Sequence, residues 1–165
     1  MNLSFRSMDE TSARETITWR YEPPYDFYNP DPDKAEETVQ WFLDPNNAYY
    51  AITDDAGKLV GYCCFGIDAR VPGGDYNADA LDIGLGVRPD LTGQGRGTDF
   101  FAAIMDFARR TFEPQALRIT VAAFNRRAMR VYEKTGFRRE QTFQRSGDGM
   151  EFLILVRPSA LPAPQ

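Results

Sequence analysis

The chain has 165 residues, of which 42% are hydrophobic and 13% aromatic, and it carries a formal net charge of −5 with no histidine. This length and composition fit one globular domain and exclude a disordered chain. The lack of histidine excludes hydrolysis by a Ser-His-Asp triad, and no apolar run approaches the roughly 20 residues of a membrane-spanning helix.

The first half of the chain predicts one strand, two helices and three further strands. Residues Leu3–Arg6 alternate in polarity and predict an edge strand, and the next helix should be capped near Asp9 or Thr11 and end before Pro23. Tyr21–Pro32, which we call the aromatic segment, is rich in tyrosine and proline and predicts a constrained loop. The later elements of this half are a helix at about Asp33–Leu43, strands at Ala48–Thr53 and Leu59–Ile67 joined by the turn Asp54–Gly57, a loop at Val71–Asp75 and a strand at Asp82–Val87.

Two adjacent cysteines, Cys63 and Cys64, lie within one predicted strand. Neighbouring side chains of a strand point to opposite faces, so the pair is typical of core residues in a reduced, intracellular protein. A redox pair is the alternative. Adjacent cysteines lack the spacing of zinc ligands, and no metal site is expected.

The second half predicts alternating strands and helices. A glycine-rich loop, Leu91–Gly97, follows the Asp82–Val87 strand and leads into a helix at Thr98 to about Thr111. The apolar stripe of this helix is interpreted as core packing; it comprises Phe101, Ile104, Met105, Ala108 and Phe112. The remaining elements are a strand at Leu117–Ala122, a helix at Phe124–Lys134, a hairpin of strands Phe137–Phe143 and Met150–Val156 across Ser146–Gly149, and a proline-containing tail at residues 158–165.

The glycine-rich loop is typical of a phosphate site. Glycine lets the backbone approach an anion closely, and the unpaired N–H groups of the first helical turn point at it. The dinucleotide fingerprint does not fit, because the sixth position counted from Gly93 is Thr98, and the loop has no lysine for an ATPase-type phosphate loop. The loop therefore predicts a pyrophosphate site of another kind, with a ligand-free turn as the alternative.

Charge is distributed unevenly along the chain. Residues 1–86 contain 6 Lys and Arg against 16 Asp and Glu, whereas residues 87–165 contain 13 against 8. The basic half favours a polyphosphate ligand and the acidic half a cationic one, such as an amine, although ordinary solvated surface accounts for most of these charges. The overall acidity and the absence of a basic run predict that nucleic acid is not the main partner.

Two separated motifs connect the loop to the second half of the chain. Two motifs in a defined order and spacing are a more specific signal of function than a glycine loop read alone. The first is Val87-x-Pro89 followed by Gly93-x-Gly95-x-Gly97, and the second is Asn125-x-x-Ala128-x-x-x-Tyr132-x-x-x-Gly136-Phe137.

Residues 82–137, which contain both motifs, resemble the GNAT superfamily of acetyl-CoA-dependent N-acetyltransferases. The predicted order βααβββαβαββ agrees with that family. The resemblance implies a single α/β domain over residues 1–157, with a mixed central sheet of about six to seven strands flanked by about four helices. It implies an N-acetyltransferase that moves the acetyl group of acetyl-CoA to an amine by direct attack in a ternary complex. The alternative is a non-catalytic acyl-CoA-binding module that serves as a sensor or partner.

The resemblance implies acetyl-CoA as co-substrate, inserted between two diverging parallel strands. Asn125 is expected both to cap its helix and to contact the pantetheine arm. Thr92 stands where the family usually has Gln or Arg, and its hydroxyl can still donate to a phosphate oxygen. Gly84 and Gly86 suit either a close approach of ligand to the strand or room for a large neighbour. The implied cofactor-binding residues are Leu85, Gly86, Val87, Thr92, Gly93, Gln94, Gly95, Arg96, Gly97, Thr98, Asn125 and Tyr132.

Two residues are candidates for catalysis. Tyr132 stands at the family position of the group that protonates the departing thiolate, with a core tyrosine as the alternative. A phenol has a pKa of about 10 and a thiol about 8.5, so transfer of the phenol proton to a free thiolate is slightly unfavourable. Hydrogen bonding to the sulfur is therefore expected to supply much of the contribution of Tyr132. Asp82 is the first candidate for the general base that takes a proton from the amine. The alternatives are Asp68, Asp79, Glu22 or a chain of water molecules.

The aromatic segment is expected to line the acceptor pocket, because the family builds substrate walls from this region. The rings of Tyr25 and Tyr28, with Glu22 and Asp26 nearby, could hold a cationic amine, or the rings could pack against the sheet. The acceptor is a small molecule or a protein N-terminus. The resemblance leaves a homodimer open, and we expect a cytoplasmic protein without a membrane partner.

Overall fold

Strands and helices follow one another in the order that the sequence predicts. The computed structural model describes residues 2–159, and the end of the predicted tail, residues 160–165, lies outside them. The described residues contain seven strands and four α-helices in a single α/β domain, which confirms the predicted fold class. Their bounds are β1 Ser4–Ser7, α1 Glu10–Thr16, α2 Ala35–Leu43, β2 Tyr49–Thr53, β3 Leu59–Phe65, β4 Leu81–Val87, α3 Gly97–Phe112, β5 Ala116–Ala122, α4 Arg126–Lys134, β6 Arg138–Gln144 and β7 Glu151–Pro158.

Side-chain caps fix where two of the helices begin. The Asp9 carboxylate accepts a hydrogen bond from the Ser12 N–H at 2.7 Å, which satisfies one of the unpaired donors of the first turn of α1. The Asn125 side-chain oxygen does the same for the Ala128 N–H of α4 at 3.1 Å. Both caps confirm the positions predicted from the sequence.

The sheet is mixed, with the strand order β1-β2-β3-β4-β5-β7-β6. Strands β4 and β5 are parallel, and their register pairs Leu81 with Leu117 and Ile83 with Ile119. The β6–β7 pair is antiparallel, as predicted for a hairpin. Strand β7 runs on to Pro158, which pairs with Ala116, so the first residue of the predicted tail belongs to the sheet.

The described residues group into two compact units. The first contains residues up to 64 together with 85–96, and the second contains 65–84 together with residues from 97 onward. In the first unit, helix α1 packs against α2 through a cluster that includes Ala13, Val39 and Phe42.

In the second unit, the apolar stripe of α3 is buried as predicted at four of its five positions, because Phe112, at the end of the helix, is 37% exposed. In the first unit, Cys63 and Cys64 are both buried and are not joined by a disulfide, in agreement with their interpretation as core residues.

Candidate active site

The glycine-rich loop has a backbone that presents unpaired donors. Gly93 and Gly95 have φ angles of 73° and 74°, in the left-handed region that glycine adopts without steric cost. All four residues from Gly93 to Arg96 are exposed. Within residues 2–159 no group accepts a hydrogen bond from the main-chain N–H of these four residues. Successive unpaired N–H groups are the donors from which anion sites are built, and helix α3 starts at the next residue.

Two side chains of the loop donate hydrogen bonds to its own main chain. The Thr92 hydroxyl donates to the main-chain oxygen of Pro89 at 2.7 Å, and the Gln94 side-chain amide donates to the main-chain oxygen of Asp90 at 2.7 Å. The predicted contact from the Thr92 hydroxyl to a phosphate oxygen would therefore compete with a bond inside the loop. These two bonds hold the loop's shape and leave its main-chain N–H groups to any anion.

The third glycine of the loop has a packing role. A Cβ atom added at Gly97 would lie 3.0 Å from Cγ2 of Val131 on α4, which is closer than an ordinary contact, so the Val131 side chain would have to shift slightly. A Cβ at Gly95 would meet nothing within 4 Å. Gly95 is thus favoured by its backbone angle and Gly97 by its close contact with Val131. The first turn of α3 also contains Thr98, which is half-buried, and the carboxylate of Asp99, which lowers the attraction of this helix end for an anion.

The end of β4 is held from two sides in the first unit. Gly86 lies under the ring of Tyr62, and a Cβ at this position would come within 2.4 Å of that ring. The main-chain oxygen of Val87 accepts a hydrogen bond from the Tyr21 hydroxyl at 2.7 Å. Gly86 thus makes room for a large neighbour, which is one of the two interpretations of this glycine. Leu85, Gly86 and Val87 are all half-buried.

Asp82 lies inside an ion-pair network of the second unit. It is 2% exposed, and its carboxylate accepts hydrogen bonds from Arg118 Nε at 2.6 Å, Arg118 Nη2 at 2.8 Å and Arg70 Nε at 2.8 Å. The hydrogen bond from Arg118 to Asp82 is the main cause that raises the pKa of the Arg118 guanidinium. The carboxylate therefore has three charge-assisted bonds to give up before it could rotate toward an amine, which weighs against the base role.

The same network orders the residues before β4. Arg118 also donates to the main-chain oxygen of Ala78 at 2.9 Å. The guanidinium carbons of Arg118 and Arg70 lie 5.0 and 5.3 Å from the ring centre of Tyr76, within the range of cation–π attraction. The Tyr76 hydroxyl is 2.8 Å from the Thr120 hydroxyl on β5. Sequence reasoning missed this network, although a charged Arg118 inside an apolar strand was a signal that a buried partner exists.

Tyr132 and Asn125 belong to α4. The Tyr132 side chain is buried, and its ring centre lies 4.8 Å from that of Phe101 and 6.4 Å from that of Phe137. The ring is therefore fixed in an apolar cluster, which suits a group that must present a hydroxyl in one orientation. Asn125 uses its side-chain oxygen as the helix cap.

The aromatic segment folds as a closed loop in the first unit. Tyr25–Tyr28 form a 3₁₀ turn, and the rings of Phe27 and Tyr28 meet edge to face with centres 5.1 Å apart. Tyr28 is 41% exposed, whereas Tyr25 is half-buried. These rings leave apolar surface in contact with solvent, which is compatible with a wall of a binding pocket.

The alternative base candidates are more accessible than Asp82. Glu22 and Asp79 are exposed, and Asp68 is half-buried in a 3₁₀ turn after β3. In the described part of the chain, no cluster of three or more Cys, Asp or Glu side chains could hold a metal ion. No helix between residues 2 and 159 is long and apolar enough to cross a bilayer.

The second unit has a surface cavity of about 390 Å³. It is formed by α4 and the β6–β7 hairpin in the second unit and contains none of the sequence-predicted site residues. Its rim carries the ion pair between Arg139 and Glu133, 3.0 Å long. The other lining residues are Ala123, Arg126, Met129, Arg130, Thr142, Glu151 and Leu153.

Comparison with known proteins gives matches over nearly the whole chain. The family model described as an acetyltransferase (GNAT) domain matches residues 2–138. No curated protein sequence matches the chain. A GNAT-family acetyltransferase from Bacillus anthracis superposes with a TM-score of 0.74 at 15% identity, and the match covers 96% of each chain.

Two further solved structures share this fold. A chimera of the spermidine N-acetyltransferase SpeG from Vibrio cholerae with hSSAT has a TM-score of 0.72 at 17% identity, covering 96% of each chain. The putative acetyltransferase yncA from Salmonella typhimurium, determined with its cofactor acetyl-CoA, has a TM-score of 0.66 at 16% identity, covering 98% of this chain and 96% of that one. Similarity at these identities establishes a common fold.

Proposed function

The chain belongs to the GNAT acetyltransferase family, and on that premise we propose that it is an N-acetyltransferase that moves an acetyl group from acetyl-CoA to an amine within a ternary complex. Acetyl-CoA supplies the acetyl group in activated form, as a thioester. The protein has three tasks: to hold the cofactor, to accept a neutral amine beside the thioester, and to stabilise the departing thiolate. A similar fold that contains acetyl-CoA supports the choice of cofactor.

The observation that carries this proposal is the set of unpaired main-chain N–H groups at residues 93–96. Donors that bind an anion contribute most when they are fixed in place, and the internal bonds of Thr92 and Gln94 fix the loop. We assign the diphosphate of acetyl-CoA to these donors and to the first turn of α3. The pantetheine arm is assigned to the main chain of Leu85–Val87 and to the amide of Asn125.

Tyr132 is the residue we assign to the thiolate. Its hydroxyl would donate a hydrogen bond to the sulfur as the carbon–sulfur bond breaks. The hydroxyl proton would then pass to the sulfur as negative charge develops there. The aromatic cluster with Phe101 holds the ring, so little reorganisation is needed at the moment of reaction.

Asp82 has less support as the general base than Tyr132 has as the general acid. Since three hydrogen bonds hold its carboxylate, we propose that Asp82 stabilises the pairing of β4 and β5 where these strands begin. Deprotonation of the amine then falls to water or to a more accessible carboxylate such as Glu22 or Asp79.

The acceptor is proposed to be an amine that lies against Tyr25 and Tyr28. Residues 22–37 carry six carboxylates against one lysine, so this part of the chain attracts cations. Among the structures of similar fold is a spermidine N-acetyltransferase. Polyamines are therefore the first acceptors to test, followed by amino acids, aminoglycosides and peptide N-termini.

The experiment that tests the proposal is turnover of acetyl-CoA with a panel of these amines. Release of free CoA should depend on the amine, and mass spectrometry should find a product heavier by one acetyl group. The rival function is a non-catalytic acyl-CoA-binding module. It is favoured only by the three hydrogen bonds that already hold the Asp82 carboxylate. It predicts that acetyl-CoA binds and that no amine in the panel is acetylated.

A further inference from the structure

One side chain of the aromatic segment is bonded directly to the end of β4. The Tyr21 hydroxyl donates to the main-chain oxygen of Val87 at 2.7 Å, across 66 positions of the sequence. Tyr21 is half-buried, and burial raises the pKa of its phenol to about 12. The hydroxyl therefore keeps its proton, and with it the ability to donate, at every pH at which the protein would work.

The main chain of Tyr21 is fixed as firmly as its side chain. Its N–H donates to the Asn29 side-chain oxygen at 2.7 Å, and the Asn29 side-chain amide donates to the Tyr21 carbonyl at 3.3 Å. These two bonds close the base of the loop that contains the turn Tyr25–Tyr28. The Asn29 N–H in turn donates to the main-chain oxygen of Asp26 at 3.0 Å. A displacement of Tyr21 would consequently move the whole turn.

The other partner, Val87, lies between two residues that contact strand β3. The next residue, Arg88, donates its main-chain N–H to Val60 at 2.8 Å and its guanidinium to the main-chain oxygen of Leu59 at 2.9 Å. The preceding residue, Gly86, is covered by the ring of Tyr62. A carbonyl oxygen has two lone pairs, so the Val87 oxygen can accept from Tyr21 and from a ligand at once.

We infer that Tyr21 is a positioning residue that ties the aromatic segment to the end of β4 and thereby couples acceptor binding to cofactor binding. The inference rests on the proposed function, in which β4 carries the pantetheine arm and the turn Tyr25–Tyr28 carries the acceptor. Ordering of the β4 end by acetyl-CoA is transmitted through one hydrogen bond to the loop. The acceptor then meets a loop that is already in place, which lowers the entropy lost on binding.

The test compares the wild type with Tyr21→Phe, which keeps the ring and removes the bond. The KM of the amine should rise roughly 3- to 10-fold, the range expected for one hydrogen bond, while the Kd of acetyl-CoA changes by less than about twofold. Asn29→Ala opens the base of the loop without touching Val87 and should raise the same KM. Phe27→Leu, a change at an exposed ring of the same turn that leaves both bonds intact, should preserve the coupling measured by hydrogen exchange.

Hydrogen exchange gives the readout that a purely structural role would not move. Saturating acetyl-CoA should slow exchange of the main-chain amides of Glu22 and residues 25–29 in the wild type and leave their exchange unchanged in Tyr21→Phe. If Tyr21→Phe matches the wild type in both KM and exchange while the wild type acetylates amines, the coupling is overturned and the enzyme stands. If the wild type does not bind acetyl-CoA, the proposed function and the coupling fall together.

Discussion

Asp82 and Arg118 face each other on the neighbouring parallel strands β4 and β5, and each is only 2% exposed. The pair joins the two strands by side-chain bonds of 2.6 and 2.8 Å in addition to the main-chain pairing. A buried ion pair of this kind contributes less to stability than its short distances imply, because both charges were removed from water. Removal of one partner is costly, since the other charge stays behind in the interior.

Asp82→Asn should therefore destabilise the protein but leave the general base of the reaction in place. We expect the free energy of unfolding in urea to fall by about 3 kcal/mol, the usual cost of breaking a buried pair from one side. Arg70→Gln, at a partner whose side chain is 36% exposed, should cost about 1 kcal/mol or less. The acid limb of the pH profile of kcat/KM should persist in folded Asp82→Asn, and its disappearance there would establish Asp82 as the base.

Tyr132→Phe should separate chemistry from binding. The ring would stay in its cluster with Phe101 and Phe137 while the hydroxyl is lost, so the thiolate would lose its donor. We expect kcat to fall by about tenfold or more, within the usual range for an acid catalyst, and the Kd of acetyl-CoA to stay the same. Thermal unfolding checks that the variant is folded. An unchanged kcat would assign Tyr132 to the core alone.

Gly86→Ala tests why the strand has a glycine at this position. The new Cβ would lie 2.4 Å from Cε1 of Tyr62, and overpacking of this kind should cost about 1–3 kcal/mol of unfolding free energy. The double variant Gly86→Ala/Tyr62→Leu should be less destabilised than the sum of the two single variants, because the obstructing ring is gone. Additive losses would show that Tyr62 is not the reason for the glycine.

Alkaline pH should lower the free energy of unfolding through titration of the Tyr21 phenol. In the unfolded chain its phenol titrates near the ordinary pKa of about 10, whereas burial raises the folded value to about 12. Between these values the folded state binds more protons than the unfolded state, so stability falls as pH rises from about 10 to about 12. The urea midpoint should decline more steeply over this window in the wild type than in Tyr21→Phe. Equal slopes would contradict the shifted pKa.

Local signals in the sequence were enough to predict the order of elements. Asp9 and Asn125 are residues of the capping type, and both cap helices that the sequence predicts. The glycines of the loop were equally local, since positive φ at Gly93 and Gly95 is a property of single residues. Short-range chemistry of this kind needs no knowledge of the tertiary fold.

The contacts that sequence reasoning missed all join distant parts of the chain. Asp82 meets Arg118 only because β4 and β5 are paired in one register, 36 positions apart in the sequence. Tyr21 meets Val87 across 66 positions, and no pattern in either segment indicates the partner. The assignments of Tyr132 to catalysis and of Tyr25 to the acceptor rest on family resemblance and stay predictions.

Titration of acetyl-CoA by calorimetry into the wild type, Gly95→Ala and Gly57→Ala tests the central claim most directly. Both glycines have similar φ angles, 74° and 77°, and a Cβ would meet nothing within 4 Å at either, so both variants should lose about 1 kcal/mol of stability. The wild type and Gly57→Ala should bind with equal affinity, and Gly95→Ala should bind about tenfold more weakly, because its loop N–H groups are redirected away from the diphosphate. Equal affinity of the two variants, or no heat with the wild type, would contradict the assignment of the diphosphate to residues 93–96.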